Sequence, residues 1–503
     1  MKHHFRRVTP ESVGIPSYAI LHFLDRAEEL GIDLHSMILL RHGKICAEGW
    51  WEPFSPEYKH PMFSFSKSLT STAIGFAVQE GLMSLDDKLV DIFPDKLPET
   101  VSDNLAKCTI HDLLIMGCGH ETEPMAKPGE DWIKTFLAHE FKYQPGTMFQ
   151  YNTAGTNMLC AALDRKTGQQ LTEFLRPRLF DKIGIEDTFM ATLPDGTEMG
   201  GAGYKLHTED MARFITFILN RGKWEGEQLL NDAWFDRAIE KQIETKNEVY
   251  TNTSPDWLLG YCYQYWRCRP EGVFRADGLF GQFGLVMTKQ DAALILTETT
   301  GRTQEILDAA WDILLPAMAE EALPEDPVTC GMLQNRMATL KMAGSRPAGY
   351  FAMDGSKPPF TGKTYRAIGG ASLNLEGLAS FSFGPQTAPP VYQTLTLEEV
   401  PGSNDFADDY YPNIRLTAES DSGHIELMIG MNGHFLTSTI QDMPFGTAGQ
   451  WRSNNVLEFT TYALESVLGA HYRLNFTEQG LLIECDRIPA AMPTAPAVAF
   501  KAE

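Results

Sequence analysis

The 503-residue chain is short of positive charge, of clustered cysteine and of long apolar runs. Lysine and arginine number 42 against 66 aspartates and glutamates, a formal net charge of −24, and no basic run interrupts that deficit. A surface of this sign repels phosphates, so neither nucleic acid nor an anionic membrane is expected as a partner. Eight cysteines, Cys46, Cys108, Cys118, Cys160, Cys262, Cys268, Cys330 and Cys485, are scattered without a C-x-x-C pair. That spacing suits neither a zinc ribbon nor a disulfide scaffold. Buried free thiols in a reducing cytoplasm are expected instead, with no metal or other cofactor. No apolar stretch approaches the 18 residues that mark a transmembrane helix. The opening MKHHFRRVTPES is basic, but Thr9, Pro10, Glu11 and Ser12 stand where a secretory leader needs its apolar centre. A G-x-S-x-G elbow is also missing, which removes the α/β-hydrolase arrangement.

What is present is ordinary globular material, 43% hydrophobic and 21% charged, long enough for two or three domains of roughly 150 residues each. The 21 methionines read as core filler. Two apolar runs flank Arg41-His42-Gly43-Lys44, a hairpin pattern. Ser68 to Gln79 carries no charge and predicts a buried helix that Gly81 can close. Leu85–Asp95 is a polar-punctuated connection, and from about Thr109 to Arg221 helical periodicity dominates. Strands are expected over Trp257–Arg269, Gly272–Lys289 and Asp291–Gly301, then a helix over Arg302–Glu321. Leu323–Val328, with two prolines, reads as a linker. Beyond it come short alternating runs: Ala371–Gly384, Val391–Val400, Ile414–Ser420, His424–Met431, Val456–Leu464, His471–Thr477 and Gly480–Ile488. They predict an all-β accessory domain. The expected division is therefore a first domain over 1–322, a linker over 323–328 and a β-rich domain over 329–503.

Chemistry is suggested by Ser64-Phe65-Ser66-Lys67, which opens the longest uncharged helix. Residues i and i+3 share a helix face, so the serine hydroxyl and the lysine ammonium meet. In a dry setting such a lysine loses its proton and can accept the serine's. The ordinary alternative is a cap-like serine beside a lysine whose stem lies on apolar surface. An S-x-x-K arises by chance about once in a chain of this length, so the pair alone is weak. Tyr151, just before a helical pattern, and the glycine-bearing run Phe274–Met287 follow in order along the chain. Taken singly, they read as a core tyrosine and a bulged strand.

The order S-x-x-K, then a tyrosine before a helix, then a glycine-bearing strand resembles the serine β-lactamase and penicillin-recognising superfamily. The likeness covers about residues 5–320. It is closest to the class C-like esterases, D-peptidases and 6-aminohexanoate-oligomer hydrolases, where Ala276-x-Gly278-x-x-Gly281-Gln282 belongs. The resemblance implies an α+β, β-lactamase/transpeptidase-like unit, with an antiparallel sheet flanked by helices plus a helical lobe, followed by the all-β domain. It implies Ser64 as nucleophile, Lys67 as its base partner and Tyr151 as the proton shuttle to the leaving group. Gly278 would bring the N–H of Leu279 beside that of Ser64 as an oxyanion hole. A small ester or amide, cleaved through an acyl-enzyme, is the implied substrate.

Two positions depart from the family pattern. The asparagine of its Y-x-N aligns with Thr153, because the run reads Tyr151-Asn152-Thr153; whether Thr153 or Asn152 fills that role stays open. The cation that opens the third motif, which recognises a substrate carboxylate, is replaced by Ala276. Arg275 should face the other side of the strand and not replace it. Those departures favour a substrate without a carboxylate. A D-amino-acid-specific peptidase and a catalytically silent binding protein remain the alternatives. Trp257, Tyr261, Tyr263, Tyr265 and Trp266 divide between core and pocket wall, and His111 and His120, without ligand spacing, are expected to be structural.

Overall fold

The computed structural model describes residues 5–342, 357–373, 375, 391–401, 412–421, 423–431, 433–489 and 495–503. A six-stranded antiparallel sheet runs in the spatial order Lys44–Trp50, Asp33–Arg41, Ala292–Thr299, Gln282–Met287, Val273–Gly278, Trp266–Arg267. Asp33–Arg41 and Ala292–Thr299 are central and covered on both faces, which is why they read as continuous apolar runs rather than alternating ones. Their neighbour is set by the His42-Gly43 turn, in which both residues have positive φ (52° and 68°), as a two-residue hairpin demands.

The helix Thr208–Leu219 packs on the sheet, against Asp33–Arg41, Gln282–Met287 and Ala292–Thr299. Ser66–Gln79 lies between the sheet and the helical lobe, touching Val273–Gly278 on one side and the helices Thr153–Thr167 and Leu171–Leu175 on the other. Every residue from Ser66 to Ala77 is buried, so a charge on this helix loses most of its hydration.

Two expected strands differ in detail. Of Trp257–Arg269 only Trp266–Arg267 is strand. Gly260 and Gln264 take positive φ (105° and 66°) there, so the alternating tyrosines are buried without a ladder. Gly272–Lys289 is not one interrupted strand but a hairpin, Val273–Gly278 and Gln282–Met287, turning at Leu279–Gly281. Among the described residues all eight cysteines are free and buried. No helix there is long and apolar enough to cross a membrane.

The chain does not turn directly into β structure after residue 328. Pro327–Ala338 is a helix whose N-cap, Asp326, accepts from the Thr329 N–H, and its Leu333 is buried in the core of the first unit. Among the described residues, ten antiparallel strands follow in the order Gly423–Ile429, Asn413–Ser420, Tyr392–Val400, Thr364–Ala371, Ala495–Ala502, Gly480–Ile488, Gly469–Phe476, Val456–Ala463, Met443–Ser453, Leu436–Ile440. A bridge between Gly430 and Ala448 brings the two ends together, giving a barrel-like sheet. Its interior is filled by large side chains such as Tyr365, Leu416, Phe459 and Phe476. Apart from Ala371–Leu373 and Leu375, the expected run Ala371–Gly384 lies outside the described residues.

The barrel meets the first unit directly. Phe54 packs on Tyr462 with ring centroids 5.8 Å apart, and Thr299 Oγ1 donates to the Val467 carbonyl at 2.7 Å. At Gly446 there is no room for a side chain, because a Cβ would collide with Pro53. Gly446→Ala is therefore expected to destabilise the whole protein by about 1–3 kcal/mol in denaturant unfolding. An unchanged midpoint would mean the two units do not share this junction.

Candidate active site

Ser64 sits in a single 3-10 turn, Phe63–Phe65, that runs straight into the buried helix Ser66–Gln79. Lys67 lies in the first turn of that helix, so its side chain comes back over the serine. Lys67 is 1% exposed. Its Nζ is 3.0 Å from Ser64 Oγ, 3.3 Å from Thr153 Oγ1 and 2.6 Å from the Gly201 carbonyl oxygen, and stands 5.0 Å over the Tyr151 ring.

Burial brings the Lys67 amine down from 10.5 to about 7, with the charges of Glu123 and Asp277 pulling the other way. The positive end of the helix dipole acts in the same direction as burial. A neutral amine has two N–H donors and one lone pair. The carbonyl of Gly201 and the hydroxyl of Thr153 can take the two donors, leaving the lone pair toward the Ser64 O–H. Burial pushes the Tyr151 phenol well up, partly offset by the Ser64 hydroxyl. Tyr151 therefore stays protonated at neutral pH.

Helix capping separates Asn152 from Thr153. Asn152 is the N-cap of Thr153–Thr167: its Oδ1 accepts from the Gly155 N–H at 2.9 Å, and its Nδ2 lies 3.1 Å from His120 Nδ1. It faces away from Lys67, and Thr153 is the residue that reaches it. His120 is buried against Phe136 and Phe141 beneath this cap.

The third motif approaches from the sheet. Gly278 has no space for a side chain, because a Cβ there would collide with the Met62 carbonyl, two residues before Ser64. Glycine thus lets the hairpin end come against the 3-10 turn. Leu279, the next residue, is 49% exposed. Among the described residues, neither the Ser64 nor the Leu279 N–H donates to a backbone carbonyl. A tetrahedral oxyanion needs two donors fixed beside the nucleophile.

Ala276 is fully buried, and Arg275 lies on the opposite face of the strand with Asp277, bonded to its carboxylate at 2.8 Å. Arg275 also donates to the Asp256 carbonyl and stacks over Trp257, so it is committed to the interior. Of the aromatic run, Trp266 stacks on Tyr151 at 5.6 Å and Tyr261 meets it edge-on at 6.3 Å. Tyr263 and Tyr265 pack elsewhere, on Trp234 and Phe274. Among the described residues, no group of three or more His, Cys, Asp or Glu is placed to hold a metal ion.

Sequence reasoning missed the Gly201 carbonyl, Glu123, whose carboxylate accepts from the Ala154 N–H at 2.9 Å, and Asp277. For Gly201 there was a signal: the cluster Gly200-Gly201-Ala202-Gly203. A Cβ at Gly201 would lie 2.7 Å from Thr153 Cγ2, so glycine is what lets its carbonyl reach Lys67.

The chain is similar to several known proteins. The chain is 23% identical over 294 residues to a 6-aminohexanoate-dimer hydrolase of Paenarthrobacter ureafaciens, covering 54% of this chain and 73% of that one. It is 24% identical over 239 residues to a D-aminopeptidase of Brucella anthropi, covering 44% of this chain and 45% of that one. A penicillin-binding protein homologue of Caulobacter crescentus shares the fold, with a TM-score of 0.50, 14% identity, and coverage of 59% of this chain and 97% of that chain. The family model described as Beta-lactamase matches residues 25–318, more than half of the chain, and the protein belongs to the beta-lactamase family.

Proposed function

We propose that this protein is a serine hydrolase that cleaves a small ester or amide through an acyl-enzyme on Ser64. The observation that carries the reading is the buried Lys67 amine, brought to about 7 and 3.0 Å from Ser64 Oγ. The Ser64 Oγ–H proton passes to the lone pair of Lys67 Nζ as Oγ bonds to the substrate carbonyl carbon. The N–H groups of Ser64 and Leu279 hold the oxyanion. Tyr151, a neutral phenol, passes a proton to the leaving group as the carbonyl re-forms and takes one back from the Lys67 ammonium. Water, deprotonated by Lys67, then releases the acyl group and returns Ser64.

Ser64→Ala should lower kcat by on the order of 10⁴-fold or more on any substrate the wild type accepts, and should abolish fluorophosphonate labelling. Lys67→Arg should be nearly as inactive, because a guanidinium stays protonated. In the wild type, kcat/KM should rise as pH climbs through about 7, where the amine becomes neutral, and fall below it. Labelling that persists in Ser64→Ala would remove the reading. Failure of the wild type to label would favour a silent binding protein.

The same site bears on substrate choice. With Ala276 in the core and Arg275 tied to Asp277, the third-motif strand offers no cation to a substrate carboxylate. A charged partner is worth about 1.5–3 kcal/mol, or roughly 10–150-fold in affinity. A methyl ester is therefore expected to be preferred in kcat/KM over the matched carboxylate. A tenfold preference for the carboxylate would move the D-peptidase reading ahead.

A further inference from the structure

Two phenylalanines beside the reacting groups belong to the wrong core. Phe63 directly precedes Ser64, yet it is buried in the hydrophobic core of the barrel, not in that of the unit that carries it. Phe280 directly follows Leu279 and packs against the same barrel core. The two rings meet edge to face, with centroids 6.0 Å apart and planes at 78°. Both backbones are left-handed, with φ of 45° at Phe63 and 65° at Phe280. That region is unfavourable for a bulky residue and persists only where the surroundings over-determine it.

The surroundings that do so come from the second unit. Anchoring the rings in the barrel fixes the chain on one side of Ser64 and on the far side of Leu279. The end of the sheet is tied there as well. The Thr300 N–H donates to the Phe280 carbonyl at 3.2 Å, and the neighbouring Thr299 hydroxyl donates to Val467 of the barrel. From the other direction, Gly278 abuts the Met62 carbonyl. The 3-10 turn and the hairpin end are thus clamped between a glycine contact and a shared aromatic anchor.

We propose that the barrel is a positioning element of the active site, with Phe63 and Phe280 as positioning residues that set the separation of the Ser64 and Leu279 N–H donors. This rests on the acyl-enzyme reading above, in which those donors hold the oxyanion. Donors displaced by about 1 Å can cost on the order of 100-fold in rate while leaving ground-state binding largely intact. The barrel then acts on kcat rather than on KM, through the placement of the donors.

The test uses the full-length protein and an ester that the wild type hydrolyses, with Ser64→Ala as the control. Phe63→Ala and Phe280→Ala are each expected to lower kcat by about 10–100-fold with KM within about threefold. Phe63→Gly and Phe280→Gly should fall with the Ala variants, although glycine relieves the left-handed backbone. Leu at either position, which refills part of the hollow, should recover at least threefold over Ala. The double Ala variant should lose less than the product of the single losses, because both residues hold one structure. Should an Ala variant fail to fold, the Leu variants carry the test: a threefold or greater fall in kcat at unchanged KM supports the proposal, and an unchanged kcat overturns it. Folded Ala or Gly variants with kcat within twofold of wild type overturn it while the acyl-enzyme reading stands. Turnover that survives in Ser64→Ala removes that reading and this proposal with it.

Discussion

A single desolvated amine governs the organisation of this molecule. Lys67 lies within reach of three oxygen atoms, and burial, outweighing the charges of Glu123 and Asp277, brings its amine from 10.5 to about 7. At that value the neutral and protonated amines are about equally populated near pH 7. That value requires that the first turn of Ser66–Gln79 be shielded from bulk solvent, and the sheet on one side and the helical lobe on the other supply that burial. The lobe and the sheet are therefore two walls around one protonation state.

The remaining parts are explained by close approach to that amine and its serine. Gly201 lets a carbonyl come within 2.6 Å of the amine, and Gly278 lets the hairpin end press against the 3-10 turn. Asn152 spends its side chain on capping a helix, which places Thr153 one residue later over Lys67. Arg275 and Asp277 neutralise each other beneath the third strand, so the site lacks the fixed cation that would select a carboxylate. The second unit completes the frame through Phe63, buried in its core, and Phe280, packed against it.

Much of this was legible in the sequence, and the parts that were not share a physical cause. The uncharged helix after Lys67, the Arg41-His42-Gly43-Lys44 turn and the run Gly480–Ile488 follow from local pattern, and each lies within a residue or two of its expected place. Met443–Ser453 was not among the expected runs, and within it Gly446 clears Pro53, a contact from far along the chain. Pro327 looked like a breaker but is the first residue of a helix capped by Asp326, a position where proline's missing N–H costs nothing. In the candidate site, spacing could suggest Ser64 and Lys67 because they share one helix turn. It could not suggest the Gly201 carbonyl or the Phe63–Phe280 contact, which depend on segments far apart in the chain.

The most direct test of the central claim is the titration of Lys67 itself. ¹⁵N NMR of protein labelled at lysine Nζ, with the signal assigned by its loss in Lys67→Met, reads the protonation midpoint without a substrate. A midpoint near 7 is the predicted result. A midpoint above about 9.5, close to the ordinary lysine value, would mean an ammonium at neutral pH and would contradict Lys67 as the base for Ser64.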